Sequence, residues 1–343
     1  MKLLIVLAVI LFILAVHQLL KVIEYARELR QTKEWEPTDN ENDLMGKLML
    51  LFGITFIGLF FYQINRWYDK ALPPAASEHG KHIDELLFWN LILISFVFVV
   101  VNALLFYFAY KYRGNSQRKA IYYADNSKLE MLWTVIPASA LAFIITFGLK
   151  YWNEITAPSN EKNPIIVELY AKQFDWTARY PGKDGKLGST DFRHIEGSNP
   201  VGLDTTDKAG YDDLLVKNEF HIPVGKEVVF HFRSRDVIHS AFMPHFRAQM
   251  NCVPGMVTSF KFKPTKTTKE MRQDPYVQNL MKQINEQRAK EGKEPVEFDY
   301  TLLCNKICGA SHYNMQMKIV VETEQEFNEW LRQQKAFKTL ASN

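Results

Sequence analysis

The chain has 343 residues, 47% of them hydrophobic, and sets 41 lysines and arginines against 38 acidic residues for a net charge of +3. That balance leaves no basic field of the kind nucleic acid attracts, so no nucleic-acid partner is expected. A mean hydropathy of −0.17 describes neither half of the chain: residues 1–152 hold long apolar runs, and the rest is polar and broken by turn signals.

Four apolar segments, residues 3–20, 48–64, 86–110 and 131–151, approach or exceed the about 20 residues a helix needs to cross hydrocarbon. The first could pass for a secretory signal. No small-residue cleavage site follows it, however, and it runs on into the helix-like Lys21-Val22-Ile23-Glu24-Tyr25-Ala26-Arg27, so it reads as a retained span. The second is the shortest and is read as crossing rather than re-entrant. Lys21, Arg27, Arg30 and Lys33 lie in the link after the first segment, and Lys111, Arg113, Arg118 and Lys119 in the link after the third. The positive-inside rule places both links in the cytoplasm. Both termini, and everything after residue 151, then fall on the outer side. Trp133, Tyr151 and Trp152 sit near the ends of the fourth segment as interfacial aromatics. The predicted organisation is an extension with two spans (1–85), a transmembrane hairpin (86–152) and an outer domain (153–343).

In the outer domain the pattern turns from helix to strand. Ile165-Ile166-Val167-Glu168-Leu169-Tyr170 and Glu227-Val228-Val229-Phe230-His231-Phe232 are β-branched or aromatic runs bounded by turn signals, and residues 257–262, 298–303 and 317–321 continue the series. Several short strands, most without a helical pattern between them, predict an all-β sandwich or barrel. Two stretches interrupt it: residues 183–219, rich in Gly, Asp, Ser and Asn, and residues 268–294, strongly charged and helix-favouring. They serve either as partner-docking surfaces or as solvated decoration. Glu324-Gln325-Glu326-Phe327-Asn328-Glu329-Trp330-Leu331 predicts a closing amphipathic helix.

The densest chemistry lies in Cys304-Asn305-Lys306-Ile307-Cys308-Gly309-Ala310-Ser311-His312-Tyr313-Asn314-Met315. Two thiols, an imidazole and a thioether fall within twelve residues, and Asp236-Val237-Ile238-His239-Ser240 offers a second imidazole upstream. Structural zinc would leave Met315 idle. A Cys304–Cys308 disulfide is the other alternative in an oxidising compartment. Thiolate with thioether favours copper. The third cysteine, Cys252, reads as a small buried hydrophobe beside Pro254-Gly255.

The pattern Cys-x-x-x-Cys-Gly-x-x-His-x-x-Met, preceded by Asp-Val-Ile-His-Ser and Pro-Gly, resembles subunit II of cytochrome c oxidase. The resemblance covers the chain from about residue 86 onward, apart from the two interruptions. It implies a cupredoxin-like Greek-key sandwich and a binuclear copper centre, CuA. Cys304 and Cys308 would be the bridging thiolates, His239 and His312 would cap one copper each, and Met315 and the backbone carbonyl of Lys306 would be the weak ligands. It further implies a bacterial inner-membrane protein with the copper domain on the periplasmic side. Its partners would be the haem-bearing subunit I, subunit III, membrane lipid and cytochrome c as donor.

Gln173-Phe174-Asp175-Trp176 resembles the family's electron-entry strand, but Phe174 stands where a tryptophan is usual, with Trp176 in the second aromatic position; core packing is the other reading of both rings. Glu130-Met131-Leu132-Trp133-Thr134-Val135-Ile136-Pro137 resembles the start of the family's last span, where Glu130 would mark the mouth of a proton channel. An interfacial carboxylate suiting a helix N-terminus is its alternative. Lys306 and Asn251 replace a Glu and an Asp that the family uses near a magnesium ion, which argues against magnesium here. No Cys-x-x-Cys-His is present for a fused c-type haem. A quinol-oxidase subunit would lack the copper ligands, a nitrous oxide reductase would be soluble with a further domain, and a copper chaperone would not account for Glu130 in its Trp-Thr-x-x-Pro context.

Overall fold

The computed structural model describes the backbone of residues 2–29 and the whole of residues 37–337, with side chains in the first segment given for residues 10–26. Four long helices come first: α1 (Lys2–Leu29), α2 (Asp39–Trp67), α3 (Glu78–Lys111) and α4 (Ser127–Thr156). Among the described residues three helices, not four, are long and apolar enough to span a membrane: α2 with its short 3-10 extension, α3 and α4. The described side chains of α1 follow the apolar residues 10–16 with His17, Gln18, Lys21 and Glu24, which interrupts the run. The outward placement of the N-terminus rested on an even number of spans and does not follow from three. Arg30 and Lys33, invoked for the first cytoplasmic link, lie outside the described residues.

The chain divides into two compact units, the first comprising Met1–Arg66 and Ser95–Asp125. In this unit α2 and the latter part of α3 meet through small residues, as helices in lipid commonly do. A Cβ placed on Gly53 would fall 2.6 Å from Phe106 Cβ, so only glycine admits that ring. Phe52, Phe56, Phe60, Phe98 and Phe106 make a ladder of ring contacts between the two helices. Arg113 closes it with a 2.5 Å ion pair to Asp43.

The second unit joins residues 67–94 to residues 126–343 and contains two five-stranded sheets. One is ordered β3 (Leu214–Val216), β2 (Asp175–Tyr180), β1 (Ile165–Lys172), β5 (Val228–Ser234), β8 (Thr258–Phe262); the other is ordered β4 (Glu219–Pro223), β10 (Gln316–Glu322), β9 (Tyr300–Cys304), β6 (His239–Met243), β7 (Ala248–Cys252). β1 runs parallel to β5 and β4 parallel to β10, whereas the other pairs are antiparallel. Alternation places Val228, Phe230 and Phe232 of β5, and Met317, Ile319 and Val321 of β10, in one shared core. Each such side chain contributes about 1.5–3 kcal/mol by leaving water. The predicted sandwich and its closing helix, α7 (Glu324–Gln333), are both present. α7 starts at a capping box on Thr323 and stacks Trp330 on His221 at 4.1 Å.

Within this unit the segment before α3 and the first turns of α3 are bonded to the sandwich. Ala76 N–H donates to His245 O, Ser77 Oγ to Phe246 O, and Arg247 forks onto Asp84 at 2.7 and 2.8 Å. Of the two interruptions, residues 268–294 form α5 (Thr268–Arg272) and α6 (Pro275–Lys290), with Met271 and Val277 seated in the core. The excursion of residues 183–219 is irregular up to about residue 212 but ends in β3, an edge strand too short and too closely bounded by polar residues to announce itself.

A buried charge network fastens that excursion. Arg179 on β2 donates to Glu168 at 3.0 Å, Asp213 at 3.1 Å and the Gly188 carbonyl at 3.0 Å, and Asp213 also accepts from Gly188 N–H. Burial pushes the Asp213 carboxyl up to about 6, against the opposing pull of Arg179 and the Gly188 amide. The folded protein then holds this proton more tightly than the unfolded chain. Its contribution is complete below pH ~4 and is lost as pH rises through ~6, an effect of up to about 3 kcal/mol. Melting temperatures of the full chain and of Asp213→Asn between pH 4 and 7 are expected to show a decline in the native protein that flattens in the variant. Parallel profiles would refute this.

Candidate metal centre

All the predicted donors gather at one end of the sandwich. His239 opens β6 and Cys304 closes β9, and these strands pair antiparallel with Ala241 opposite Cys304, so both residues leave the sheet at the same edge. The loop 305–315 then returns to β10, pinned by Cys304 N–H donating to Met315 O at 3.1 Å. The three cysteines are free and buried, which sets aside the disulfide alternative in this structure. Cys304 and Cys308 Sγ are 3.9 Å apart. His239 Nδ1 lies 3.7 Å from Cys304 Sγ, His312 Nδ1 3.6 Å from Cys308 Sγ, Met315 Sδ 3.8 Å from Cys308 Sγ, and the Lys306 carbonyl 3.2 Å from Cys304 Sγ. Donors sharing a tetrahedral metal with bonds of about 2.0–2.3 Å stand about 3.3–3.8 Å from each other; three of these spacings fall in that range, and the 3.2 and 3.9 Å ones lie 0.1 Å outside it. His239, Cys304 and Cys308 therefore form a cluster able to hold a metal ion.

His239 is buried. Its Nε2 lies 2.8 Å from Asp236 Oδ1, and a carboxylate only accepts, so Nε2 donates there and Nδ1 is the nitrogen turned toward the sulfur. Burial alone would raise Asp236. The Gln173 N–H, the His239 imidazole and the Val237 N–H instead hold its carboxyl below the ordinary value. Cys308 is pushed up to about 11, first by burial and then by the neighbouring Cys304. A metal bound here has to displace a proton from that sulfur.

The remaining predicted residues are placed as follows. Trp176 is fully buried, 6.3 Å from the His239 ring centre, with Nε1 3.5 Å from the Met315 carbonyl. It is core packing beneath the donors. Phe174 is half-buried at the edge of the site, against Gly309. Gly309 has φ +144°, and a Cβ there would fall 2.8 Å from the Phe174 ring, so this position requires glycine. Lys306 and Asn251 are exposed, and the Asn251 carbonyl accepts from Thr258 Oγ1. Cys252 faces His239 across β6 and β7 and is fully buried, its thiol pushed up to about 12 by burial, as a small hydrophobe would be. Glu130 is not part of the cluster. It occupies the first turn of α4, exposed, 3.4 Å from the Asn126 N–H. Sequence reasoning missed Asp236 and Gln173 as supports of the donors; a carboxylate three residues before a candidate histidine was the available signal for the first.

Comparison with known proteins agrees with this architecture. The family model "Cytochrome C oxidase subunit II, transmembrane domain" matches residues 65–151, and "Cytochrome C oxidase subunit II, periplasmic domain" matches residues 165–273. The second match ends as α5 closes, so residues 304–315 lie beyond it. The alternative cytochrome c oxidase subunit 2 of Bradyrhizobium diazoefficiens is 32% identical over 299 residues, 87% of this chain and 95% of the relative. The cytochrome c oxidase subunit 2 of Thermostichus vulcanus is 26% identical, over 79% of this chain and 81% of its own. The crystal structure of the periplasmic domain of subunit II of cytochrome oxidase from Bradyrhizobium japonicum covers 51% of this chain and 95% of its own, at 21% identity and a TM-score of 0.31. With three spanning helices, a two-sheet outer domain and a relative matched along nearly its whole length, the chain belongs to the cytochrome c oxidase subunit II family.

Proposed function

We propose that this chain is the electron-entry subunit of a respiratory cytochrome c oxidase. It takes electrons from cytochrome c at a binuclear copper centre and passes them to a haem of subunit I, where oxygen is reduced to water and protons are pumped. The observation that carries the reading is the pair of unbonded sulfurs 3.9 Å apart, each with its own imidazole nitrogen within 3.7 Å. A copper pair held there would supply one-electron chemistry with little rearrangement. Cys304 and Cys308 would bridge it, His239 and His312 would each cap one ion, and Met315 and the Lys306 carbonyl would serve as weak donors. Soft sulfur donors select copper over zinc, for which Met315 has no use.

The chain's other residues support the same role. Ile307 and Tyr313 stand 87% and 86% exposed on the donor loop, with Val237, Ile238, Met256 and Val257 exposed on neighbouring loops. Such an apolar rim suits a protein partner, here cytochrome c on one side and subunit I on another, with subunit III in the same complex. Phe174 is assigned to the entry face and Trp176 to the packed layer beneath His239. Glu130, at the start of α4, is assigned to the mouth of a proton path into subunit I. Magnesium is disfavoured beside the centre: it prefers oxygen ligands, whereas Lys306 brings an ammonium and Asn251 a neutral amide. The Lys306 charge takes over the missing cation's electrostatic role. The basic link after α3 supports a sandwich on the outer, periplasmic side of a bacterial inner membrane, with lipid around the spans.

Electron paramagnetic resonance of the copper-loaded full chain in detergent tests the reading. One unpaired electron split by two copper nuclei, at two copper ions per chain, is the expected result. A single-copper signal, or no copper uptake, overturns it.

A further inference from the structure

The two halves of the donor set come from different parts of the chain, His239 from the first position of β6 and Cys308, His312 and Met315 from the β9–β10 loop. Both are held by one residue of a third element, the tight turn between β1 and β2. Gln173 donates its backbone N–H to Asp236 Oδ2 at 2.7 Å, and the other oxygen of that carboxylate fixes the His239 imidazole at 2.8 Å. The Gln173 side-chain amide donates to the Cys308 carbonyl. The far arm is possible only because residue 309 is glycine: a Cβ there would sit 2.9 Å from Gln173 Nε2 and 2.8 Å from the Phe174 ring. β1 and β2, paired in register from Glu168–Arg179 to Lys172–Asp175, give the turn a rigid base.

We infer that Gln173 is a positioning residue, a two-ended tie that makes the His239 side and the Cys308 side of the metal site move as one unit. It touches no donor atom. It acts on one half through Asp236, whose carboxylate holds the imidazole, and on the other through the main chain of Cys308. Hydrogen-bonded supports behind metal ligands typically set affinity by about 10–100-fold and fix ligand orientation. A tie that spans both halves has a further consequence. Cutting its arm to Cys308 also loosens the turn that positions Asp236, so the disturbance appears at His239, which that arm never contacts.

The inference rests on the copper-pair reading above, and the experiment separates the two. Full-length chain in detergent, labelled with 15N-histidine and loaded with copper, is compared with Gln173→Ala, which removes the arm, and with Gln173→Glu, which keeps its length but turns an acceptor toward the Cys308 carbonyl. Electron–nuclear double resonance reads the imidazole couplings, and a chelator challenge reads copper release. The expected result is a two-copper signal in all three proteins, changed couplings for both imidazoles in the variants, and copper release about 10-fold faster. Melting of the metal-free proteins should be unchanged. Couplings identical to the parent's, or a change confined to the His312 side, overturn the tie. Absence of a two-copper signal in the parent itself refutes the functional reading instead. Should Gln173→Glu not fold, Gln173→Ala alone carries the test.

Discussion

Replacing Cys308 with serine is expected to lower bound copper from two ions to at most one and to reduce cytochrome c oxidation by the assembled oxidase more than about 100-fold. The bound follows because loss of an outer support already costs about 10–100-fold in affinity, and Cys308 is a proposed donor itself. Its sulfur neighbours three other donor atoms at once: Cys304 Sγ at 3.9 Å, His312 Nδ1 at 3.6 Å and Met315 Sδ at 3.8 Å. A serine hydroxyl is shorter, harder and far less acidic, and is no substitute for a thiolate at a soft metal. The fold should survive, since serine is nearly isosteric with cysteine and Cys308 lies on the loop between β9 and β10 rather than in a strand. Copper analysis, the spectrum and turnover measured on one preparation check this. Retention of two copper ions with normal turnover would remove Cys308 from the site.

The candidate donor cluster was legible because its chemistry is compressed into residues 304–315 and needs only His239 from elsewhere. Spacing alone could not show that β6 and β9 are neighbours with Ala241 opposite Cys304; that is a tertiary fact supplied by non-local pairing. The β-branched and aromatic runs of β1, β5 and β10 were readable for the same local reason. β4, β6 and β7 were not, because they are short and carry Pro223, His239 and Asn251 in place of uniform β-formers.

Trp176 carried two readings from sequence, electron entry and core packing, and its ring lies wholly inside the core. An aromatic in a strand looks the same in sequence whichever way it faces until the register is known. Residues 3–20 looked like a fourth span, but the side chains that follow residue 16 bring His17, Gln18 and Lys21 into the helix. Asp236 and Gln173 escaped notice because their importance lies in hydrogen bonds across chain separations of 63 and 135 residues as well as in the local contact to His239.

Arg179→Ala is expected to destabilise the outer domain by about 3–5 kcal/mol, the cost of removing one member of a buried charge network, which corresponds to a melting temperature lower by about 10 °C. Arg179 and Asp213 are 2% and 0% exposed, so neither remaining carboxylate can turn to water when the guanidinium is gone. Among the described residues the Glu168 carboxylate then keeps Arg233, at 3.6 Å, and the Asp213 carboxylate keeps the Gly188 amide. The Gly188 carbonyl loses its donor as well, so the excursion from residue 183 to residue 212 should become accessible to protease before the sandwich unfolds. Replacing Arg179, Glu168 and Asp213 together by methionine, glutamine and asparagine should recover most of the loss, because the penalty is the uncompensated charge rather than the missing attraction. Thermal unfolding with limited proteolysis of the full chain checks both variants. A loss below about 1 kcal/mol for Arg179→Ala would place the network among weak surface pairs and would leave the attachment of the excursion to the small cluster of Tyr170, Val201, Leu203 and Phe337.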